Sequence, residues 1–220
     1  MKKQLSSMDL NFLLKELQIL EKSRVDKIYQ PEKEIIIFSL HKANAGKKLM
    51  RIDVGKAISL LEQKEEYPEI LGFGQFLRKH IDGYFLTEIV QIKPERILKL
   101  AFKAKEEHKH LYIEFFGKGN AVLCDQHGVI LNALEHNEFR ERVVKHKLKY
   151  VHPIMSYNLF DLKENELIDI LKNSKKESVI VALATELGLG GLYSEEVCLL
   201  SGIDKNADPK NMEEEKIQPI

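Results

Sequence analysis

Glu95 and Arg96 stand together at the head of an extended run, Ile97-Leu98-Lys99-Leu100-Ala101-Phe102. Extended over 96–104, the segment gives Arg96 the parity of Leu98, Leu100 and Phe102, so its guanidinium starts on the apolar side of a sheet. An unpaired charge is costly there. Arg96 therefore needs an acid of the chain, Asp9 being a candidate, or an external anion, since its planar fork suits bidentate contact with a phosphate or base edge. Glu95 has the opposite parity, alongside Lys99 and Lys103. Asp9 falls in the first turn of a helical pattern, where a carboxylate alone stabilises the helix by roughly 0.3–1 kcal/mol.

Two further groups of cations could meet phosphates. Arg140, Arg142, Lys145, His146, Lys147 and Lys149 crowd one stretch and are followed by Tyr150. Dense cations with an interleaved aromatic suit RNA, where stacking adds to charge neutralisation; a solvated basic loop has the same composition. Arg78, Lys79 and His80 are consecutive on a helical pattern, so they fan around it and cannot all face one ligand. The turn Gly188-Leu189-Gly190-Gly191 either presents backbone N–H groups to a phosphate or lets two helices pack closely. His108 and His110 share strand parity, but no third ligand lies near them in sequence, so no metal site is expected, nor any other cofactor. Cys124 and Cys198 lack C-x-x-C spacing and read as buried thiols in a reducing compartment.

Leu10, Leu13, Leu14 and Leu17 predict an amphipathic helix over 9–20. Residues 34–41 are apolar on both parities, as in a strand buried between two layers. Residues 48–54 alternate, and 73–82 form a short helix closed by Gly83. The extended runs 84–92, 96–104, 109–116, 120–125 and 128–134 are separated by turns such as Gly117-Lys118-Gly119-Asn120. This predicts an α+β chain: an antiparallel β-sandwich or partial barrel over 1–153, then a small helical domain over 154–204. Within the latter Asp161 is a candidate N-cap, Gly188 ends one helix, and Ser194 opens the next with Glu195 and Glu196 in its first turn. Residues 205–220 form a polar tail with no core pattern.

Net charge over the 220 residues is zero, yet residues 1–153 hold 27 Lys and Arg against 21 Asp and Glu, while 154–220 hold 7 against 13. That asymmetry suits a first domain facing a polyanion. No apolar run approaches the roughly 20 residues that span a bilayer, and no signal-peptide pattern follows Met1, so a cytoplasmic protein without a membrane partner is expected.

The segment Gly188 to Ile203 resembles the helix–two-turns–helix motif of formamidopyrimidine-DNA glycosylases at Gly188, Gly190, Tyr193, Glu196, Val197, Gly202 and Ile203. Their asparagine is Gly191 here. The catalytic Pro-Glu of those enzymes is also missing from the Met1-Lys2-Lys3 start, and two cysteines cannot form their Cys₄ zinc site. The resemblance to the NFACT ribosome-quality-control factors, also known as fibronectin-binding A-type proteins, runs over more of the chain. It rests on Asp9, on Leu77-Arg78-Lys79-His80, on Glu95-Arg96 where an Asp-Arg pair is usual, on Phe116-Gly117-Lys118-Gly119-Asn120, and on Tyr150 with Pro153. Lys147-Leu148 stands where Pro-Gly is common.

That resemblance implies a non-enzymatic adaptor on the large ribosomal subunit with stalled peptidyl-tRNA. It would recruit charged tRNA, typically for alanine, so that the nascent chain is tailed without a template. Asp9, Glu95 and Arg96 would then recognise tRNA, with Arg78, Lys79, Arg140, Arg142, Lys145, Lys147 and Lys149 as candidate contacts to RNA backbone. Coiled-coil arms and a C-terminal domain would lie beyond residue 220. The alternatives are a glycosylase-type nucleic-acid binder without its catalytic residues and a fibronectin-binding surface protein.

Overall fold

Nine strands pair in one antiparallel sheet in the computed structural model, which describes residues 4–62, 72–138, 142–153 and 157–212. They are β1 (Ser23–Glu32), β2 (Ile35–Lys42), β3 (Gly46–Asp53), β4 (Ala57–Leu61), β5 (Phe85–Gln91), β6 (Ile97–Ala104), β7 (Glu107–Glu114), β8 (Asn120–Asp125) and β9 (Ile130–Ala133), in the order β4-β3-β2-β1-β5-β6-β7-β8-β9. The chain divides into two compact units. One comprises Met1–Leu5, Asp9–Ile92 and Arg96–Pro153, and the other Ser6–Met8, Lys93–Glu95 and Ile154–Ile220.

In the first unit the sheet folds over on itself. Strands β2 and β6 are three places apart in the order, which in a flat sheet is about 14 Å. Yet the rings of Phe38 on β2 and Phe102 on β6 stack with centroids 6.0 Å apart. The fold line is the seam between β1 and β5, paired only through Ser23↔Leu86 and Arg24↔Phe85. Ile36, Phe38 and Leu40 from one half and Leu98, Leu100 and Phe102 from the other are all fully buried in one core. Helix α1 (Ser7–Leu17) adds Leu10 and Leu17, and helix α2 (Gly72–Ile81) adds Phe73, Leu77 and Ile81. The α+β class and the folded antiparallel sheet agree with the sequence reading.

The two halves also touch at their turns. Gly55, between β3 and β4, lies against Gly119, between β7 and β8, so closely that a Cβ on Gly119 would fall 2.2 Å from the Gly55 nitrogen. The N-terminal segment bridges the same turns: Leu5 N–H donates to Lys56 O and Gln4 Nε2 to Gly117 O, each at 2.9 Å.

In the second unit α3 (Glu164–Asn173), α4 (Val179–Thr185) and α5 (Gly190–Leu200) surround Leu167, Leu171, Val179, Leu183, Leu187 and Cys198. Three expectations change here. Helix α3 starts at Glu164, and its entry is held by Lys163 N–H donating to Glu166 Oε2 at 2.9 Å. Asp161 instead accepts from Asn158 Nδ2 ahead of the helix. Helix α5 starts at Gly190, four residues before Ser194, because the positive φ of Gly188 and Gly190 (71° and 75°) completes the turn by then. Ser194 is buried inside α5 and its hydroxyl donates back to Gly190 O at 2.9 Å. Residues 205–212 are not a bare tail. The carbonyls of Ala207 and Lys205 accept the first N–H groups of α4, from Val179 and Ile180, which a helix start leaves unsatisfied. Met212 is buried in the same core.

Candidate functional site

Strand β5 ends at Gln91 and β6 begins at Ile97, and the turn between them carries Glu95 and Arg96 after a cis Lys93–Pro94 bond. Arg96 lies one residue ahead of β6 rather than within it, although its carbonyl still accepts Phe115 N–H at 2.8 Å. Its side chain is half-buried. Glu95 departs from the expectation of a lysine-lined face, being 8% exposed. In a turn, strand parity no longer governs where a side chain goes, and this carboxylate is taken out of water. Asp9 is half-buried in the first turn of α1. All three residues interact with other groups of the protein.

Ser7 Oγ donates a hydrogen bond to Pro94 O, 87 positions away in the chain. Asp9 follows Ser7 by two residues, and Arg96 follows Pro94 by two. Two residues of chain reach at most about 7 Å, so the Cα atoms of Asp9 and Arg96 lie within about 20 Å of each other. That is within the footprint of one folded RNA.

The basic stretch separates into two environments. Lys145, His146, Lys147 and Lys149 are exposed, in a loop whose backbone pairs with the β9 region: Lys147 N–H donates to Ile130 O at 2.9 Å and Ile130 N–H to Leu148 O at 2.8 Å. Arg142 corrects the sequence reading. Its side chain is 8% exposed, and Nη1 and Nη2 donate to the two oxygens of Glu114 at 2.7 and 2.8 Å. A guanidinium committed in this way is not available to a phosphate. Tyr150, expected as a stacking aromatic, is 9% exposed, stacked on Tyr112 at 4.3 Å, and donates to Glu114 Oε1 at 2.9 Å. Burial and the neighbouring Glu114 carboxylate push its phenol up, so it remains a donor. Arg140 lies outside the described residues.

On α2 the three consecutive basic residues diverge. Arg78 Nε donates to Ile28 O at 2.7 Å with the guanidinium 5.6 Å from the Tyr29 ring. His80 Nδ1 bonds Phe76 O. Lys79 alone is exposed. The thiols Cys124 and Cys198 are buried and free, and burial pushes Cys124 up to about 12, which leaves it protonated and unreactive at neutral pH. Among the described residues no cluster of three or more His, Cys, Asp or Glu is placed to hold a metal ion, and no helix is long and apolar enough to cross a membrane.

Glu114 is the residue that sequence reasoning missed. It shares strand parity with His110 and Tyr112, opposite the buried Leu111 and Ile113, so alternation placed it on the outer face and gave no signal of its burial.

Known proteins resemble this chain in sequence and in fold. The archaeal Rqc2 homolog aRqcH of Methanocaldococcus jannaschii is 28% identical over 231 residues, covering 100% of this chain and 34% of that protein. The ribosome quality control complex subunit 2 of Saccharomyces cerevisiae is 30% identical over 193 residues, covering 84% of this chain and 18% of that protein. The chain thus spans about a third or less of the length of these relatives. The N-terminal part of the fibronectin/fibrinogen-binding protein from Streptococcus suis superposes with a TM-score of 0.77 at 22% identity, over 97% of this chain and 83% of that one. Residues 6–220 match the family described as NFACT N-terminal and middle domains, and the chain belongs to that family.

Proposed function

We propose that this chain is the tRNA-binding part of a ribosome quality control factor. It acts on the large ribosomal subunit carrying a stalled peptidyl-tRNA, in the cytoplasm. It recruits charged tRNA, that for alanine being the first candidate, so that the nascent chain is extended without a template. The ribosome makes the peptide bonds, and this chain supplies binding and orientation rather than catalysis.

The observation that carries this reading is the match to the NFACT family over 6–220 together with relatives named as ribosome quality control subunits. Chain continuity supports the reading: Glu95 and Arg96 are adjacent, and Asp9 follows Ser7, whose hydroxyl donates to Pro94 O. An arginine fork reads phosphate or a guanine edge, and carboxylates reject phosphate while accepting from base amino groups. Lys145, Lys147, Lys149 and Lys79 are exposed cations suited to RNA backbone. The glycosylase resemblance is confined to residues 188–203, whereas the NFACT match runs over 6–220. The likeness to the fibronectin/fibrinogen-binding protein is one of fold alone.

Pelleting separates the possibilities. Large subunits bearing peptidyl-tRNA are expected to carry the chain down at low salt, and vacant large subunits to do so far less. Equal pelleting with both would overturn the proposal.

A further inference from the structure

The exposed lysines of 145–149 sit on a segment whose two ends are fastened to a single carboxylate. At its start, Arg142 makes the bidentate pair with Glu114 described above, and its guanidinium lies 5.5 Å from the Phe116 ring. At its end, Tyr150 donates to Glu114 Oε1, and Arg142 Nη1 reaches the Val151 carbonyl at 3.3 Å. Glu114, at the end of β7, is 3% exposed. Between these fastenings the chain turns through Lys147, at φ 69°, with Leu148 N–H closing on Lys145 O at 3.2 Å.

The adhesion of this segment has another source. Val144 and Tyr150 pack with Val122, Cys124, Ile130 and Ala133 in a small apolar cluster of their own. Replacing a buried ion pair by apolar groups of similar volume is often neutral for stability, so the pair need not hold the fold together. What an arginine fork on a carboxylate does impose is position, because two parallel bonds fix distance and angle at once. Resting on the reading that this chain binds RNA, we infer that Glu114, through Arg142 and Tyr150, is a positioning residue that presents Lys145, Lys147 and Lys149 as a preformed phosphate-binding loop. The ligand of this loop is the backbone of a folded RNA, whose phosphates are themselves fixed in space. A loop that is already ordered loses less entropy on docking, and its three ammonium groups neutralise phosphates without prior rearrangement.

The test uses the whole chain, labelled alanine tRNA and a salt series, well below the melting temperature of every variant. Glu114→Leu combined with Arg142→Met removes the pair and leaves net charge unchanged, so a change in affinity cannot come from total charge. The inference predicts that this double variant stays folded, destabilised only by the acceptor lost to the Tyr150 hydroxyl, but binds about tenfold more weakly, with a shallower salt dependence. Should it fail to fold, Glu114→Asp, which keeps the charge and shortens the arm, takes its place with the same expected loss. Parent-like affinity in the folded variant would overturn the inference. A third variant, Lys145→Ala with Lys147→Ala and Lys149→Ala, is expected to reduce the slope of log affinity against log salt by about 2–3. If it binds as the parent does, the loop does not touch RNA and the underlying reading fails. If it weakens while the double variant does not, only the positioning role fails.

Discussion

Arg142 and Lys147 stand five residues apart in one basic run and end in opposite environments. The guanidinium is buried on Glu114, whereas the ammonium projects into solvent from a backbone at φ 69°. A non-glycine residue in the left-handed region carries a penalty of about 1–2 kcal/mol. Nothing in the packing of Lys147 offsets it, since the side chain is exposed. A lysine kept there at the expense of stability fits a residue retained for its charge. Lys147→Gly should therefore stabilise the fold by about 0.5–1 kcal/mol, after the greater freedom of glycine in the unfolded chain is discounted. It should also weaken tRNA binding. Chemical denaturation and a titration on the same sample measure both, and a variant less stable than the parent would show that the turn is not strained.

At the scale of elements, the outline of the sheet was legible because β2, β6, β7 and β8 carry dense apolar runs between turn residues. Strand β1 was not. Its buried residues are Ser23, Val25, Ile28 and Gln30, and the parity changes where the pairing with β2 shifts register between Val25 and Lys27. A bulge of this kind erases the period of two on which a sequence reading depends. Ser194 misled for a related reason: a good cap residue inside a helix looks like a helix start, and only the tertiary turn at Gly188–Gly190 shows otherwise. The region joining Asp9 to Arg96 could be expected only from family resemblance, since nothing local in the sequence announces a bond over 87 positions. The closure of the folded sheet, by contrast, depends on two glycines that were legible as turns but not as partners. Gly119→Ala would force a Cβ to 2.2 Å from the Gly55 backbone, with φ already at 77°. Gly128 has φ 78° but open space around its missing side chain. Alanine at 128 should cost about 1 kcal/mol for conformation alone, and alanine at 119 at least about 2 kcal/mol more as the turns are pushed apart. Equal losses in urea melts would mean that the contact between turns yields without strain.

For the molecule as a whole, net neutrality hides a division of charge. The first 153 residues hold six more cations than anions and include every residue proposed to meet RNA, while the remainder holds six more anions than cations. Such a distribution favours one face toward a polyanion and disfavours indiscriminate coating by it. Binding should then combine a salt-dependent contribution from lysines on phosphates with a salt-insensitive one from Arg96 where its fork meets a base edge. The two can be read separately in one experiment: fluorescence anisotropy of labelled alanine tRNA against this chain and its Arg96→Ala variant, across a salt series with duplex DNA as competitor. Because Arg96 is half-buried and engaged with the protein, the melting temperature of the variant is measured alongside. The account predicts a folded variant that binds more weakly by about 1–3 kcal/mol, at every salt concentration, with duplex DNA competing poorly against tRNA. A folded Arg96→Ala chain that binds tRNA as the parent does, or a parent chain that prefers duplex DNA, would contradict it.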